Sequence, residues 1–209
     1  MTLSIKLVDS DSEIEKKINL AIADELNTRI RKNTNRVKEM IEFGIRAWIR
    51  ATPEVNNLLS DGVINSLNSQ FGFPPGQAAP SVDAIVELIV STIEVKIRPI
   101  DKKLKGGVDF LIQPSDLRNL LGLTEGFIIS ASGPLHWLSW LLTEGTSTIV
   151  YGYTYTPDFS GRSGGGTMSS GGVWRVPPEF AGILADNFIT RALFNHDREL
   201  AAILEELLE

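Results

Sequence analysis

The chain has 209 residues, is 43% hydrophobic and contains no cysteine, so it can bury a sizeable core and has no thiolates for a disulfide framework or a zinc site. The net charge of −6 is uneven: residues 1–105 carry 15 basic and 14 acidic side chains, residues 106–209 carry 5 and 12. An acidic half lacks the Lys and Arg cluster that phosphate binding needs, so no specific nucleic-acid partner is expected, while opposite tendencies in the two halves would let copies orient head to tail. Met1–Lys6 shows no leader pattern and no apolar run approaches the roughly 20 residues of a spanning helix, which makes a soluble chain without a membrane partner the expectation.

In chain order, Ser10 and Glu13 match a capping box, and Ile14, Ile18, Ile22, Leu26 and Ile30 repeat every fourth residue, resuming at Val37, Ile41, Ile45 and Trp48. Unbroken, this helix spans about 40 residues and roughly 60 Å. Asn33-Thr34-Asn35 is the expected place for a bend, because such side chains compete for the backbone. Thr52 and Pro53 start a second helix expected to carry Val55, Leu58, Leu59, Val63 and Leu67 inward. Gly72-Phe73-Pro74-Pro75-Gly76 ends it, and Ser81 opens a third through Ile85, Leu88 and Ile89.

Ile93, Val95 and Ile97 alternate as a strand does, and Lys102-Lys103-Leu104-Lys105-Gly106-Gly107 turns into Val108–Ile112, a hairpin with a basic tip. Ser115 is expected to cap a short helix, Phe127–Ile129 to form a brief strand, and Gly133-Pro134 to introduce a Trp-rich helix ending at Gly145. Thr148–Tyr155 is the strongest strand signal. Residues 161–172 hold six glycines and only Met168 as an apolar side chain, which predicts a flexible projection within a Gly-rich loop at 157–175. A closing helix is expected to align Ile183, Leu184, Phe188, Leu193, Leu200, Ile203, Leu204 and Leu207. The fold class is α+β: a helical N-terminal region over 1–72, then a domain over 80–209 with a small antiparallel sheet, packed helices and a C-terminal amphipathic helix, the boundary falling near 72–80.

Chemistry is poorly served. Gly161-Arg162-Ser163-Gly164-Gly165 fits G-x-S-x-G, with Asp186 and His196 following in order, but the strand before and helix after that strain a nucleophile elbow are missing, so a serine hydrolase using Ser163 is the minor alternative. No Gly-Lys pair supports a P-loop. His136 and His196 belong to no metal-binding pair; His136, beside Trp137 and Trp140, reads as packing, and His196 as a solvated residue. No catalytic residue, cofactor or metal is expected. Trp and Arg are enriched where partners bind most tightly, and the residues expected to touch neighbouring copies or partners are Trp48, Glu144, Arg162, Met168, Trp174, Arg175, Phe180 and Arg191.

Taken as an ordered set, the long N-terminal helix, the Glu144-Gly145-Thr146 turn, the glycine-rich stretch and Val176-Pro177-Pro178-Glu179-Phe180 leading to Phe188-Ile189-Thr190-Arg191-Ala192-Leu193 resemble the neck and tail-completion proteins of tailed bacteriophages, the minor tail or head–tail joining family. The likeness is firmest over residues 90–209. It implies a non-enzymatic virion component forming a ring, six-fold by expectation, that joins or terminates the tail at the head connector. Its partners would be copies of itself, the portal or other neck proteins, and tail tube or sheath proteins, with assembly in the host cytoplasm. A tail-tube or baseplate component of the same particle is the alternative reading.

Overall fold

The computed structural model describes residues 9–112, 117–130, 133–194 and 196–208. Its elements are α1 (Asp11–Arg50), α2 (Pro53–Leu58), α3 (Leu67–Phe71), α4 (Ala78–Ser91), β1 (Ile93–Arg98), β2 (Gly107–Ile112), α5 (Arg118–Leu121), β3 (Ile128–Ser130), β4 (Gly133–Leu135), α6 (Trp137–Leu142), β5 (Val150–Pro157), β6 (Gly166–Trp174), α7 (Phe188–Phe194) and α8 (Asp197–Glu205). The class is α+β, and the strands form two-stranded sheets, β1 with β2, β3 with β4 and β5 with β6. Two compact units result. One takes the described residues up to Ile41, Glu94–Leu111 and those from Arg198 on; the other takes Glu42–Ile93 and Ile112–Asp197. The expected boundary at 72–80 therefore falls inside the second unit.

In the first unit, Glu13 accepts from the Ser10 amide at 2.9 Å and the Ser10 hydroxyl at 2.8 Å, which starts α1. The amide bond foremost, then the hydroxyl bond, holds the Glu13 carboxyl below its ordinary range. The expected bend does not occur, and α1 runs 40 residues. Thr34 donates back to the Ile30 carbonyl at 2.5 Å and Asn33 donates to the Leu207 carbonyl at 3.5 Å, so both polar side chains are satisfied without opening the helical ladder.

The fourth-residue stripe holds from Ile30 on, with Val37, Ile41, Ile45 and Trp48 buried, but is corrected before it: Ile18 and Ile22 are 53% and 41% exposed and Ala23 is buried instead. A strict four-residue row drifts by about 40° per step around a helix of 3.6 residues per turn, so the row through Ile18 and Ile22 winds off the face that Ala23, Ile30 and Val37, spaced by seven, keep. Asn27 clamps the strand pair by donating to the Ile100 carbonyl at 2.9 Å and accepting from the Ile100 amide at 2.8 Å. Arg29 donates to the Leu208 carbonyl and Arg36 pairs with Glu206.

In the second unit, Thr52 caps α2 by accepting from the Val55 amide, with Pro53 opening the helix as expected. That helix stops at Leu58, leaving Leu59 and Val63 exposed, because Ser66 caps a separate α3 and takes Leu67 inward from there. Gly72 ends α3 in the left-handed region, φ 72°. The next helix starts at Ala78, three residues before Ser81. Arg46 forks onto Glu87 with two bonds of 2.9 Å, and Arg50 meets Asp83 at 2.7 Å.

β4 replaces the expected helix start at Gly133, and α6 buries Trp137, Leu138, Leu141 and Leu142. Phe71, Phe73, Trp137 and Trp174 form the aromatic core, with edge or tilted ring contacts of 5.2 to 6.1 Å. The closing helix is two helices, with Ile183 and Leu184 exposed rather than lining a face. Buried Asn187 sets the start of α7 at Phe188: its side-chain oxygen accepts from the Ile189 and Thr190 amides, and its own amide donates to the Thr190 hydroxyl. The expected cap at Ser115 lies outside the described residues.

Candidate functional site

The glycine-rich stretch is not a loop. β5 and β6 pair antiparallel from Val150 opposite Trp174 to Pro157 opposite Gly166, with an irregularity between Tyr151 and Tyr153. The glycines serve close approach rather than freedom: a Cβ on Gly165 would overlap the Ser69 hydroxyl, and one on Gly161, at φ 88°, the Gly166 carbonyl. Distant groups then fasten the tip. Arg162 donates to the Gly72 carbonyl through Nε at 2.8 Å and Nη2 at 2.5 Å, and to the Ile129 carbonyl through Nη1 at 2.9 Å. The Tyr155 hydroxyl donates to the Gly165 carbonyl at 2.6 Å and accepts from the Asn65 amide at 3.2 Å.

Under this hairpin lies a cavity of about 390 Å³ whose walls include Gln70, Leu135, Tyr153, Arg162, Met168 and Trp174. Ser163 also lines it, buried, and its hydroxyl donates to the Ser69 carbonyl at 3.3 Å. A turn between two strands, not a strand and a helix, holds that serine. The cavity wall mixes apolar surface with the polar side chains of Gln70, Arg162, Ser163 and Thr167, and it offers shape rather than an activated nucleophile.

A second cavity of about 350 Å³ is lined by Trp48, Thr52, Glu54, Glu179, Arg191 and His196, among others. His196 stacks on Trp48 at 4.1 Å and 7°, which corrects the expectation of a solvated side chain. Glu54 is 2% exposed. One of its oxygens pairs with Arg191, and the other, Oε2, is buried without a hydrogen-bond partner. Arg191 also meets Asp186 at 2.7 Å. Burial works against its charge, and the bonds from Asp186 and Glu54 outweigh that, keeping the guanidinium above its ordinary pKa.

Of the expected contact residues, Arg162, Met168 and Trp174 thus meet around the first cavity, and Trp48 and Arg191 around the second. Trp174 and Trp48 are buried in the core; the Trp174 indole donates to Gln70 at 3.5 Å. Glu144, Arg175 and Phe180 line neither cavity. Glu144 is exposed on a turn closed by the Gly145 amide donating to the Gly182 carbonyl at 2.8 Å. Exposed Arg175 reaches the Thr148 hydroxyl at 3.4 Å, and half-buried Phe180 closes a turn onto Pro177. His136 packs as expected, stacked on Phe127 at 4.0 Å, and burial keeps its pKa low against the pull of Glu144. Sequence reasoning missed Glu54, Tyr155 and Gln70; Thr52-Pro53-Glu54 reads as an ordinary helix start, and nothing in the chain marks its carboxylate as buried.

Among the described residues no group of three His, Asp or Glu stands ready for a metal ion, and no helix is long and apolar enough to cross a membrane. No family model, curated protein or solved structure matches the chain.

Proposed function

We propose that this protein is a structural, non-enzymatic subunit of a tailed-phage neck or tail, assembling with its own copies into a ring that joins or terminates the tail at the head connector. The observation that carries the reading is the surface of the second unit. Ile129, Tyr151 and Phe159 are 76%, 77% and 82% exposed, and Phe43 and Phe194 are exposed nearly as far. Apolar residues exposed singly are ordinary on a monomer; large ones in this number support a reading in which partners cover some of them. The β5–β6 hairpin adds to this. Its two strands pair only with each other among the described residues, and strands of eight and nine residues with open edges are templates for a neighbour's chain.

The same geometry disfavours hydrolysis at Ser163, whose hydroxyl is spent on a main-chain carbonyl. The ordered set from Glu144-Gly145-Thr146 to Phe188–Leu193 supplies the phage assignment; a ring closes because a heterologous contact repeats around an axis. Native mass spectrometry and negative-stain imaging test it. Closed rings, six copies by expectation, support the reading; long cylinders would make this a tube component instead, and a monomer at high concentration, unchanged by portal or tail proteins, would overturn it. Labelling of Ser163 by a fluorophosphonate probe would overturn the non-enzymatic part.

A further inference from the structure

The turn between β5 and β6 places a knob beside a hole. Phe159 is 82% exposed and takes no part in the wall of the cavity beneath its own hairpin, yet Gly161 and Arg162, just after it in the chain, belong to that wall. The stretch from Phe159 to Arg162 reaches about 10 Å at most, so ring and rim lie side by side on one small surface. The turn that carries the ring is held in shape. Asp158 Oδ1 accepts from the Ser160 amide at 2.7 Å and from the Ser160 hydroxyl, and Arg162 and Ser163 tie the far side to Gly72 and Ser69. A ring presented on a fixed turn loses little freedom on docking.

The cavity is open where a guest would enter. On its wall Tyr153 and Met168 are 49% and 36% exposed and Arg162 is exposed with them, while Phe71 and Trp174 are its buried part. The Tyr153 ring meets no other ring among the described residues, which leaves it available to an aromatic guest, and the Met168 thioether suits a ring edge. The volume of about 390 Å³ exceeds the about 150 Å³ that accommodates benzene. Arg162 has N–H bonds to spare after the three it gives to the Gly72 and Ile129 carbonyls, and it pairs with no carboxylate among the described residues. The site therefore asks for an aromatic ring with an acid next to it.

Asp158-Phe159 is such a pair, and the second oxygen of the acid, Oδ2, has no bond among the described residues. From this complementarity we infer that the cavity beneath β5–β6 receives the Phe159 ring of a second copy, with Asp158 of the guest set on Arg162 of the host. Because knob and hole adjoin, the exchange is reciprocal across a two-fold axis, each ring entering the other's cavity. The contact closes at two copies and so goes beyond the ring proposed above, whose closure needs a separate, heterologous patch.

Photocrosslinking tests it. Full-length chain labelled with a heavy isotope and carrying p-benzoylphenylalanine in place of Phe159, an exposed position where the change is safe for folding, is mixed with unlabelled native chain and irradiated. Digestion and mass spectrometry should find the photoreactive residue joined to Met168 or Tyr153, one peptide labelled and the other not. Asp158→Asn in the labelled chain keeps an oxygen for the Ser160 bonds and removes the charge, and should raise the concentration for half-maximal crosslinking about threefold. An absence of crosslinks, crosslinks confined to one copy or to residues off the cavity wall, or an unchanged half-maximal concentration for Asp158→Asn would each overturn the inference. Rings are read separately by native mass spectrometry of the unmodified chain, so either result can fail and leave the other standing.

Discussion

The two hairpins β1–β2 and β5–β6 solve the same problem, how to turn a chain through 180° and hold it, with opposite chemistry. The turn after β1 closes on itself: Asp101 collects the Lys103 and Lys105 amides, and its own amide donates to the Lys105 carbonyl at 2.9 Å. The turn after β5 takes its main fastenings from elsewhere, with Arg162 reaching Gly72, ninety residues away, and Ser163 reaching Ser69. A self-closed turn keeps its shape whatever surrounds it. A borrowed one exists only while the core beneath it does.

Removing the core should separate the two most sharply. Trp174→Ala deletes the ring that packs edge-on against Phe71 at 5.7 Å, and should cost about 3–5 kcal/mol in urea denaturation. Chymotryptic cleavage at Phe159 should accelerate while the 99–106 segment stays resistant; equal exposure of both turns would dissolve the contrast. Gly165→Ala attacks the borrowed turn directly, driving a methyl into Ser69, and should cost about 1–3 kcal/mol. Arg162→Met removes all three donors to two carbonyls from a partly solvated site, with about 1–2 kcal/mol lost and faster cleavage at Phe159 as the readout.

Asp101→Ala should have the smallest effect, confined to the β1–β2 turn and visible as faster amide exchange at Lys103 and Lys105. Acid offers the finest distinction. The Lys105 and Lys103 amides hold the Asp101 carboxyl below its ordinary value, so its contribution is fully present above that ordinary value and disappears as pH falls through the lowered one. Amide exchange at Lys103 and Lys105 should rise in that window, whereas the carbonyls bound by Arg162 have no proton to gain.

The same contrast explains what could be read from the chain. The Ser10 and Thr52 caps, the β1–β2 pair and the β5 strand were legible because each rests on residues within a few positions of one another. The glycines of 161–172 misled, because glycine signals slack and close packing with the same letter, and only Ser69, Gly72 and Asn65 decide between them. Asn33 and Thr34 misled for a related reason: the groups that satisfy them, the Leu207 and Ile30 carbonyls, are a distant one and a helical one. Of the cavities, Trp48, Arg162, Trp174 and Arg191 were singled out in advance by residue type alone, while Glu54 carried no signal.

The clasp of Arg29, Asn33 and Arg36 onto Leu207, Leu208 and Glu206 couples positions separated by 170 to 179 residues. Contacts of such sequence separation form slowly, because a long stretch of chain must be closed before they reward it. The side of α1 that they cover is therefore completed after the helix itself, whose own bonds reach only four residues back.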